Sequence, residues 1–241
     1  MNKGQKVDSN KYEPIYTGLF GSQNYKLDNW KSDKDYRQIV VPTFESLAFR
    51  DKYISFIEEG KDGHTEVKDI RLFIKALKSM SLADIEILYS TEINVNNRYN
   101  EEIRQLISIR DDIVKSNPYR MYEVILGVMR NVTYKQLSKE YTGKKACQVI
   151  RYYDIFDRFL LGKENYEDVL DTSKSERYQF MKETKEENID KSKVMEELGF
   201  YIKLVEAHEV KINKDINKET FKKLDEILLN IIKKRAKIDL L

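Results

Sequence analysis

Hydrophobic and polar positions follow one pattern up to about residue 78 and another from about residue 98. In the first part, short apolar runs lie between turn-forming segments, as at residues 15–20 and 39–42. Apolar runs of this length, bounded by Gly, Pro, Asn or Asp, are typical of strands. Residues 58–63 contain two glycines and predict a turn into a further strand that begins at residue 64. The first part of the chain therefore predicts a small sheet.

Helical periodicity begins at residue 70 and dominates from about residue 98. The helix predicted for residues 70–79 has an apolar side made of Ile70, Phe73, Ile74 and Leu77. Further helices are predicted at residues 82–89, 103–113, 121–128, 144–161, 193–210 and 218–238, with Ser81, Ser192 and Asn217 as N-caps of the first, fifth and last. We therefore predict an α+β protein, with a small mixed-sheet lobe at residues 1–95 followed by an all-helical lobe at residues 96–241.

The composition is that of a globular protein without a strong overall charge. Of the 241 residues, 41% are hydrophobic and 35% are charged, which is more apolar than a disordered chain. The net charge of +2 argues against a protein that coats nucleic acid with its whole surface, but it is compatible with a local basic groove. Cys147 is the single cysteine, which excludes an internal disulfide. The sequence has neither a signal-like segment nor an apolar run of membrane length, so we expect a cytoplasmic protein without a membrane partner.

The first candidate for chemistry is the Gly21-Ser22 pair, which ends the strand predicted at residues 15–20. Glycine lets the backbone approach a bulky anion, and a turn that exposes N–H groups can hold a phosphate. The Ser22 hydroxyl adds a donor. A Gly-Ser pair alone is a weak signal, but its position predicts that Gly21 and Ser22 bind the phosphates of a nucleotide.

Two carboxylates, Asp33 and Asp35, are predicted to lie on the strand that ends at Pro42. In an extended chain, residues two positions apart point to the same face, so these carboxylates repel each other unless a cation lies between them. Mg²⁺, or Mn²⁺ in its place, usually takes one or two carboxylates together with substrate phosphates. The alternative is a pair of solvated turn residues, because turns are rich in Asp and Ser.

A third carboxylate is expected on the strand that begins at residue 64, where Glu66 and Asp69 are the candidates. Glu66 and Lys68 share one face of this strand, and Val67 and Asp69 share the other. Because Asp69 comes immediately before the next helix and can cap it, we favour Glu66 as the metal ligand.

Taken together, these residues resemble the signature of the polymerase-beta-like nucleotidyltransferase superfamily. The longer run GLFGSQNYKLDNWKSDKDYRQIVVP is similar to predicted nucleotidyltransferases common in bacteriophages and some bacteria. The runs EVKDIRLFIKAL, LADIEILYS and KKACQVIRYYDIF resemble later segments of those proteins, so the resemblance covers about residues 12–185 and is specific over residues 18–42. It implies a nucleotidyltransferase lobe that binds a divalent ion and a nucleotide, with Ser32 among the nucleotide-binding residues.

The chain departs from the family pattern at three positions. Lys26 stands where the family usually has Gly, Lys34 separates the two acids where an apolar residue is usual, and Gln148 stands where a histidine is expected. None of these changes removes a presumed metal ligand. They leave open an altered substrate or a degenerate site.

The helix predicted at residues 144–161 carries a polar stripe, because Lys144, Gln148 and Arg151 are spaced by about one helical turn. If this stripe faces the nucleotide, Lys144 and Arg151 bind the triphosphate, since a guanidinium forks well onto phosphate oxygens. The alternative is an ordinary solvated helix face.

The expected function is a metal-dependent nucleotidyltransferase that moves a nucleoside monophosphate from an NTP to an acceptor hydroxyl. The resemblance implies Asp33, Asp35 and Glu66 as catalytic residues and metal ligands, and ATP as the default nucleotide. RNA, another protein or a small molecule can each serve as the acceptor. Two alternatives stay open: a catalytically inactive binding or inhibitory module of the same fold, and an RNA-binding helical protein whose sheet is a scaffold.

Overall fold

The computed structural model describes residues 11–28, 32–60 and 63–241. Within this part of the chain, five strands form one mixed sheet, and the remainder is mainly helical. This confirms the predicted α+β class. The strands are β1 (Tyr12–Phe20), β2 (Asp35–Pro42), β3 (Ser55–Glu59), β4 (His64–Asp69) and β5 (Ile93–Val95).

Each predicted helix coincides at least in part with a helix of the described residues, and three further helices lie where the sequence predicts none: Phe44–Ala48, Tyr166–Leu170 and Tyr178–Lys185. The helices of the described residues are α1 (Phe44–Ala48), α2 (Ile70–Lys78), α3 (Leu82–Ile85), α4 (Asn100–Ser108), α5 (Arg110–Lys115), α6 (Pro118–Arg130), α7 (Gly143–Ile155), α8 (Tyr166–Leu170), α9 (Tyr178–Lys185), α10 (Lys191–Ala207) and α11 (Lys218–Asp239). Wider π-type turns at Asn131–Leu137 and Phe156–Leu160 continue α6 and α7, and short 3-10 turns lie between other elements. No helix in the described ranges combines the length and apolar character needed to cross a membrane.

The sheet has the order β3-β4-β2-β1-β5, and only the β2–β4 pair is parallel. Its register sets Arg37 of β2 beside Glu66 of β4, and Tyr36 beside Thr65. Because side chains alternate along a strand, the two neighbouring strands present polar groups to the same face.

An apolar cluster lies on the opposite face of these strands. Val40 and Val67 pack there with Ile54 and Phe56, and Tyr12 lies against the cluster. Removing such side chains from water is the main favourable contribution to folding, at about 25 cal/mol for each Å² of apolar surface. The apolar cluster therefore fixes the strand register that brings the polar face together.

The chain forms two compact units. Of the described residues, the first unit contains 11–24, 32–60, 63–116 and 217–241, and the second contains 25–28 and 117–216. This grouping differs from the division at residue 95 that the sequence predicts. Residues 96–116 and the last helix belong with the sheet, and residues 25–28 belong with the helices of the second unit.

Helix α11 is part of the first unit because its contacts lie there. Lys78 of α2 pairs with Asp225 at 2.5 Å, the backbone N–H of Phe44 donates to Asp239 at 2.6 Å, and Arg235 pairs with Glu13 at 2.7 Å. A periodic apolar stripe predicts a helix but does not identify the surface on which that helix packs.

The N-caps predicted for three helices are confirmed only in part. Asn217 accepts from the N–H of Thr220, as expected of an N-cap. The Ser81 hydroxyl instead donates to Asp84 at 2.6 Å. The prediction of Ser192 as a cap is wrong, because Asp190 caps α10 and accepts from the N–H groups of Ser192 and Lys193.

Candidate functional site

The end of β1 brings Gly21 against the first residue of β2. Gly21 has a φ of +79°, a left-handed conformation that side chains other than glycine rarely adopt. A Cβ atom at this position would lie 3.1 Å from Oδ2 of Asp35. Gly21 therefore satisfies two constraints at once: the backbone turns sharply, and the space beside the carboxylate stays open.

The turn that follows Gly21 is closed by the Asn24 N–H, which donates to the Gly21 carbonyl at 3.0 Å. Ser22, inside this turn, and Ser32, before β2, are both half-buried. The Ser32 carbonyl accepts from the side chain of Gln23 at 3.4 Å. The two serines predicted to bind nucleotide thus belong to the segments that flank Asp35.

Asp35 begins β2, whereas Asp33 lies before the strand and is exposed. The two acids therefore do not share a regular strand as the sequence predicts. Oδ1 of Asp35 lies 2.7 Å from Nδ1 of His64, the first residue of β4. Nε2 of the same imidazole lies 3.9 Å from Oε1 of Glu66. His64 thus stands between two of the predicted site carboxylates.

Glu66 is held by Arg37, which sequence reasoning missed. The Arg37 Nε atom lies 3.1 Å from Oε2 of Glu66, and Nη2 contacts the same oxygen. The Arg37 side chain is only 6% exposed, and its guanidinium carbon lies 4.8 Å from the centre of the Phe20 ring. Oε2 of Glu66 is consequently fully engaged, and Oε1 is the oxygen on the His64 side.

Arg37 is itself anchored to α3. Its Nη1 atom donates to the Ala83 carbonyl at 2.6 Å and to Oδ1 of Asp84 at 3.1 Å. Lys68 donates to the same Asp84 oxygen at 2.5 Å, and Ser81 donates to Oδ2. A chain of charged groups therefore runs from half-buried Glu66 through buried Arg37 to buried Asp84.

Asp69 has the capping role predicted for it. Its Oδ1 atom accepts from the N–H of Arg71 at 2.8 Å, and its carboxylate pairs with the Arg71 guanidinium at 2.6 Å. The residue is fully buried with Val67 on the apolar face. Glu66, not Asp69, therefore shares a face with Asp35.

Lys34, one of the departures from the family pattern, is turned toward Glu92. Its Nζ atom lies 3.3 Å from Oε2 of Glu92, and the Tyr36 hydroxyl donates to Oε1 at 2.6 Å. These hydrogen bonds lower the pKa of Glu92 and raise the pKa of Lys34. Lys34 therefore pairs with an exposed glutamate.

Lys144 and Arg151 lie on α7 in the second unit. Lys144 is exposed, whereas Arg151 is only 6% exposed, so Arg151 is not part of a solvated face. The Arg151 guanidinium lies 3.9 Å from the centre of the Tyr25 ring, a cation–π distance. The same unit adds a cation that sequence reasoning missed: Lys185 donates to the Leu27 carbonyl, and burial lowers its pKa.

No three His, Cys, Asp or Glu side chains in the described ranges are placed to hold a metal ion together. The residues present nevertheless fit a Mg²⁺ or Mn²⁺ ion that is bound partly by substrate, because such an ion usually takes one or two protein carboxylates and completes its shell with phosphates and water. The gap that Gly21 leaves beside Asp35 Oδ2 is consistent with this binding.

Comparison with known proteins adds no further assignment. No protein-family model matches the chain, and no curated protein matches its sequence. The arrangement of Gly21, Asp35, Glu66 and Arg37 therefore carries the functional argument.

Proposed function

We propose that the protein is a metal-dependent nucleotidyltransferase that moves a nucleoside monophosphate from an NTP, by default ATP, to an acceptor hydroxyl. The observation that carries this proposal is the left-handed Gly21 turn facing Asp35, with Glu66 on the same face of the adjoining parallel strand. RNA, a protein or a small molecule supplies the hydroxyl.

In this proposal the Gly21-Ser22 turn holds the triphosphate through its N–H groups and the Ser22 hydroxyl. Asp35, together with Asp33, holds the divalent ion, and Ser32 lies beside them in the chain. Mg²⁺ or Mn²⁺ supplies charge that stabilises the phosphoryl oxygens in the transition state. The phosphate contacts expected of Lys144 and Arg151, which lie in the second unit, stay a prediction.

The reaction joins the acceptor oxygen to the α-phosphorus and breaks the bond from the α-phosphorus to the bridging oxygen. Pyrophosphate leaves with that electron pair. Oε1 of Glu66 accepts the proton of the acceptor hydroxyl, because Oε2 is occupied by Arg37. The chain's own contribution is thus mostly position and charge.

Transfer of label from α-³²P-labelled ATP, CTP, GTP and UTP to host RNA and to a cell lysate tests the proposal. We expect Mg²⁺- or Mn²⁺-dependent labelling that Asp35→Asn abolishes. Asp225→Asn is the matched control, because it removes an exposed carboxylate on α11 whose partner is Lys78. Labelling that Asp35→Asn leaves unchanged contradicts the proposal.

A second candidate function is a catalytically inactive binding module of the same fold. The specific observation in its favour is that Asp35 and Glu66 are both engaged by basic side chains of the protein, His64 and Arg37. An inactive module predicts no transfer of label to any acceptor. Metal-dependent transfer that Asp35→Asn abolishes excludes it, whereas the absence of both NTP and Mg²⁺ binding favours it.

A further inference from the structure

The second unit contains a cavity between α6 and the C-terminal end of α10, with a volume of about 390 Å³. Two tyrosines, three glutamates and one arginine line it, together with Leu126 and Gly127. Its volume lies in the range that is usual for small-molecule sites, which combine apolar surface with a few polar groups. None of the described residues proposed for nucleotidyl transfer lines this cavity, so it is a candidate site in its own right.

The hydroxyl of Tyr122 is an open hydrogen-bonding group in this cavity. Tyr122 is only 3% exposed, and the centre of its ring lies 5.7 Å from that of Tyr119. Within the part of the chain that the structure describes, no group forms a hydrogen bond with this hydroxyl. The charges of Glu209, Arg130 and Glu206 all act on it, which places it on the polar side of the cavity. Because a buried tyrosine hydroxyl normally has a partner, a molecule bound in the cavity can supply the one that Tyr122 lacks.

The charged side chains around the cavity are mostly paired with each other. The Nε and Nη2 atoms of Arg130 lie 3.0 and 2.8 Å from Oε1 of Glu206. Glu123 pairs with Arg120 at 3.0 Å, about one turn earlier on α6. Each of these two carboxylates therefore already has a cation beside it, and neither arginine is left for an anionic ligand.

Glu209 is the lining carboxylate that keeps an open oxygen. Its Oε1 atom accepts from the Tyr119 hydroxyl at 2.7 Å, and this hydrogen bond raises the pKa of Tyr119 to about 12. Tyr119 therefore stays a donor at neutral pH. In the described ranges Glu209 forms no ion pair, and its Oε2 atom accepts no hydrogen bond. The cavity thus offers a carboxylate oxygen and a hydroxyl to a ligand.

The aromatic rings and the carboxylates favour a positive charge on that ligand. The face of a tyrosine ring attracts an ammonium group. The Nζ atom of Lys214 lies 4.7 Å from the centre of the Tyr119 ring, so this ring already forms such a contact with an ammonium of the chain itself. An ammonium has donors for both Glu209 and Tyr122, whereas a carboxylate or phosphate would meet three glutamates.

We propose that this cavity is a binding site for a small organic cation, in which a primary ammonium group is carried on an apolar stem. The ammonium donates to Oε2 of Glu209 and to the hydroxyl oxygen of Tyr122. The stem packs against Leu126 and the tyrosine rings.

Chemical-shift titration of the ¹⁵N-labelled full chain with hexylamine tests this inference, with hexanol and hexanoate as the neutral and anionic probes of the same stem. We expect saturable shifts around the cavity with hexylamine, and binding at least about tenfold weaker for the other two probes. Hexanol or hexanoate that binds as tightly as hexylamine would overturn the inference, and so would the absence of saturable shifts with hexylamine.

Variants of the two open groups sharpen the test. Glu209→Gln should weaken hexylamine binding at least about tenfold, and Tyr122→Phe should weaken it severalfold, because each removes an acceptor of the ammonium. The matched control is Glu196→Gln, since Glu196 is an exposed glutamate of α10 that does not line the cavity. Unchanged binding in Glu209→Gln would contradict the proposed ammonium contact.

Filling the cavity provides a separate test. Gly127 on α6 and Gly199 on α10 both have open space around their Cβ positions, but only Gly127 lines the cavity. Gly127→Leu should therefore abolish hexylamine binding, whereas Gly199→Leu should leave it unchanged. Equal binding in the two variants would mean that the amine binds elsewhere, and the inference would be wrong.

Discussion

At the scale of single residues, some side chains of the candidate site can be predicted from the sequence and others cannot. Gly21, Asp35 and Glu66 can be predicted from the sequence, because their chemistry is local to a turn or a strand face. Arg37 and His64 cannot be predicted in the same way. Arg37 meets Asp84 47 positions along the chain, and His64 meets Asp35 only because β2 and β4 pair in one register.

Gly21→Ala tests whether the left-handed turn serves the nucleotide. A residue other than glycine in this conformation costs about 1–2 kcal/mol of stability, and the added Cβ also crowds Asp35. We expect NTP affinity, measured by isothermal titration calorimetry, to fall at least about tenfold.

Gly162→Ala is the control for Gly21→Ala. Gly162 has a φ of +75° but open space around its Cβ position, so the same backbone penalty arises away from the site. Equal NTP affinity in the two variants would show that the Gly21 turn has no role in binding.

Cys147 should be inert in the folded protein. Burial raises the pKa of its thiol to about 11 from 9.0, so very little reactive thiolate is present at neutral pH. We expect slow alkylation by iodoacetamide in the native state and fast alkylation in denaturant, and similar rates would contradict its burial. The thiol ionises at a lower pH in the unfolded chain than in the folded protein. The contribution of Cys147 to the free energy of unfolding is therefore complete below its unfolded pKa, and it is lost as pH rises through its folded pKa.

At the scale of elements, the periodic helices and the strands of the sheet follow the sequence closely. The buried side of α2 is the predicted one, and Asn217 caps α11 as expected. The sequence does not predict α1, α8 and α9, and the capping error concerns which of two nearby polar residues caps α10. Asp190 and Ser192 both have suitable side chains, and the backbone conformation at residue 190 decides between them.

Asp69→Ala should destabilise the protein more than Asn217→Ala. Asp69 is a cap that is also fully buried and paired with Arg71, so its loss leaves a partly buried cation unpaired and should cost about 3 kcal/mol. Asn217 gives only a cap hydrogen bond, and its loss should cost about 1 kcal/mol. Urea unfolding curves measure both values, and equal losses would contradict the structural role of the Asp69–Arg71 pair.

At the scale of the whole molecule, the sequence predicts the α+β class but not which segments form each unit. The C-terminal helix joins the first unit through Arg235, which pairs with Glu13 of β1, and through Lys234, which pairs with Glu102 of α4. These partners are far away in the chain, so neither helical periodicity nor composition identifies them. Lys234 and Arg235 are thus used for ion pairs within the first unit.

Hydrogen–deuterium exchange tests this grouping. Helix α11 packs against α2 and α4, so its central amides around Leu224, Ile227 and Ile231 should share the slow exchange of the strands β1, β2 and β4. Peptide-level mass spectrometry measures the rates. Exchange of α11 well before the sheet opens would show that this helix is not an integral part of the first unit.

The most direct measurement for the central claim is calorimetric titration of a non-hydrolysable ATP analogue into the full chain with and without Mg²⁺. The account predicts binding that requires Mg²⁺ and that weakens at least about tenfold in Asp35→Asn, while Asp225→Asn binds like the wild type. Binding that is independent of both Mg²⁺ and Asp35, or the absence of any binding, would contradict it.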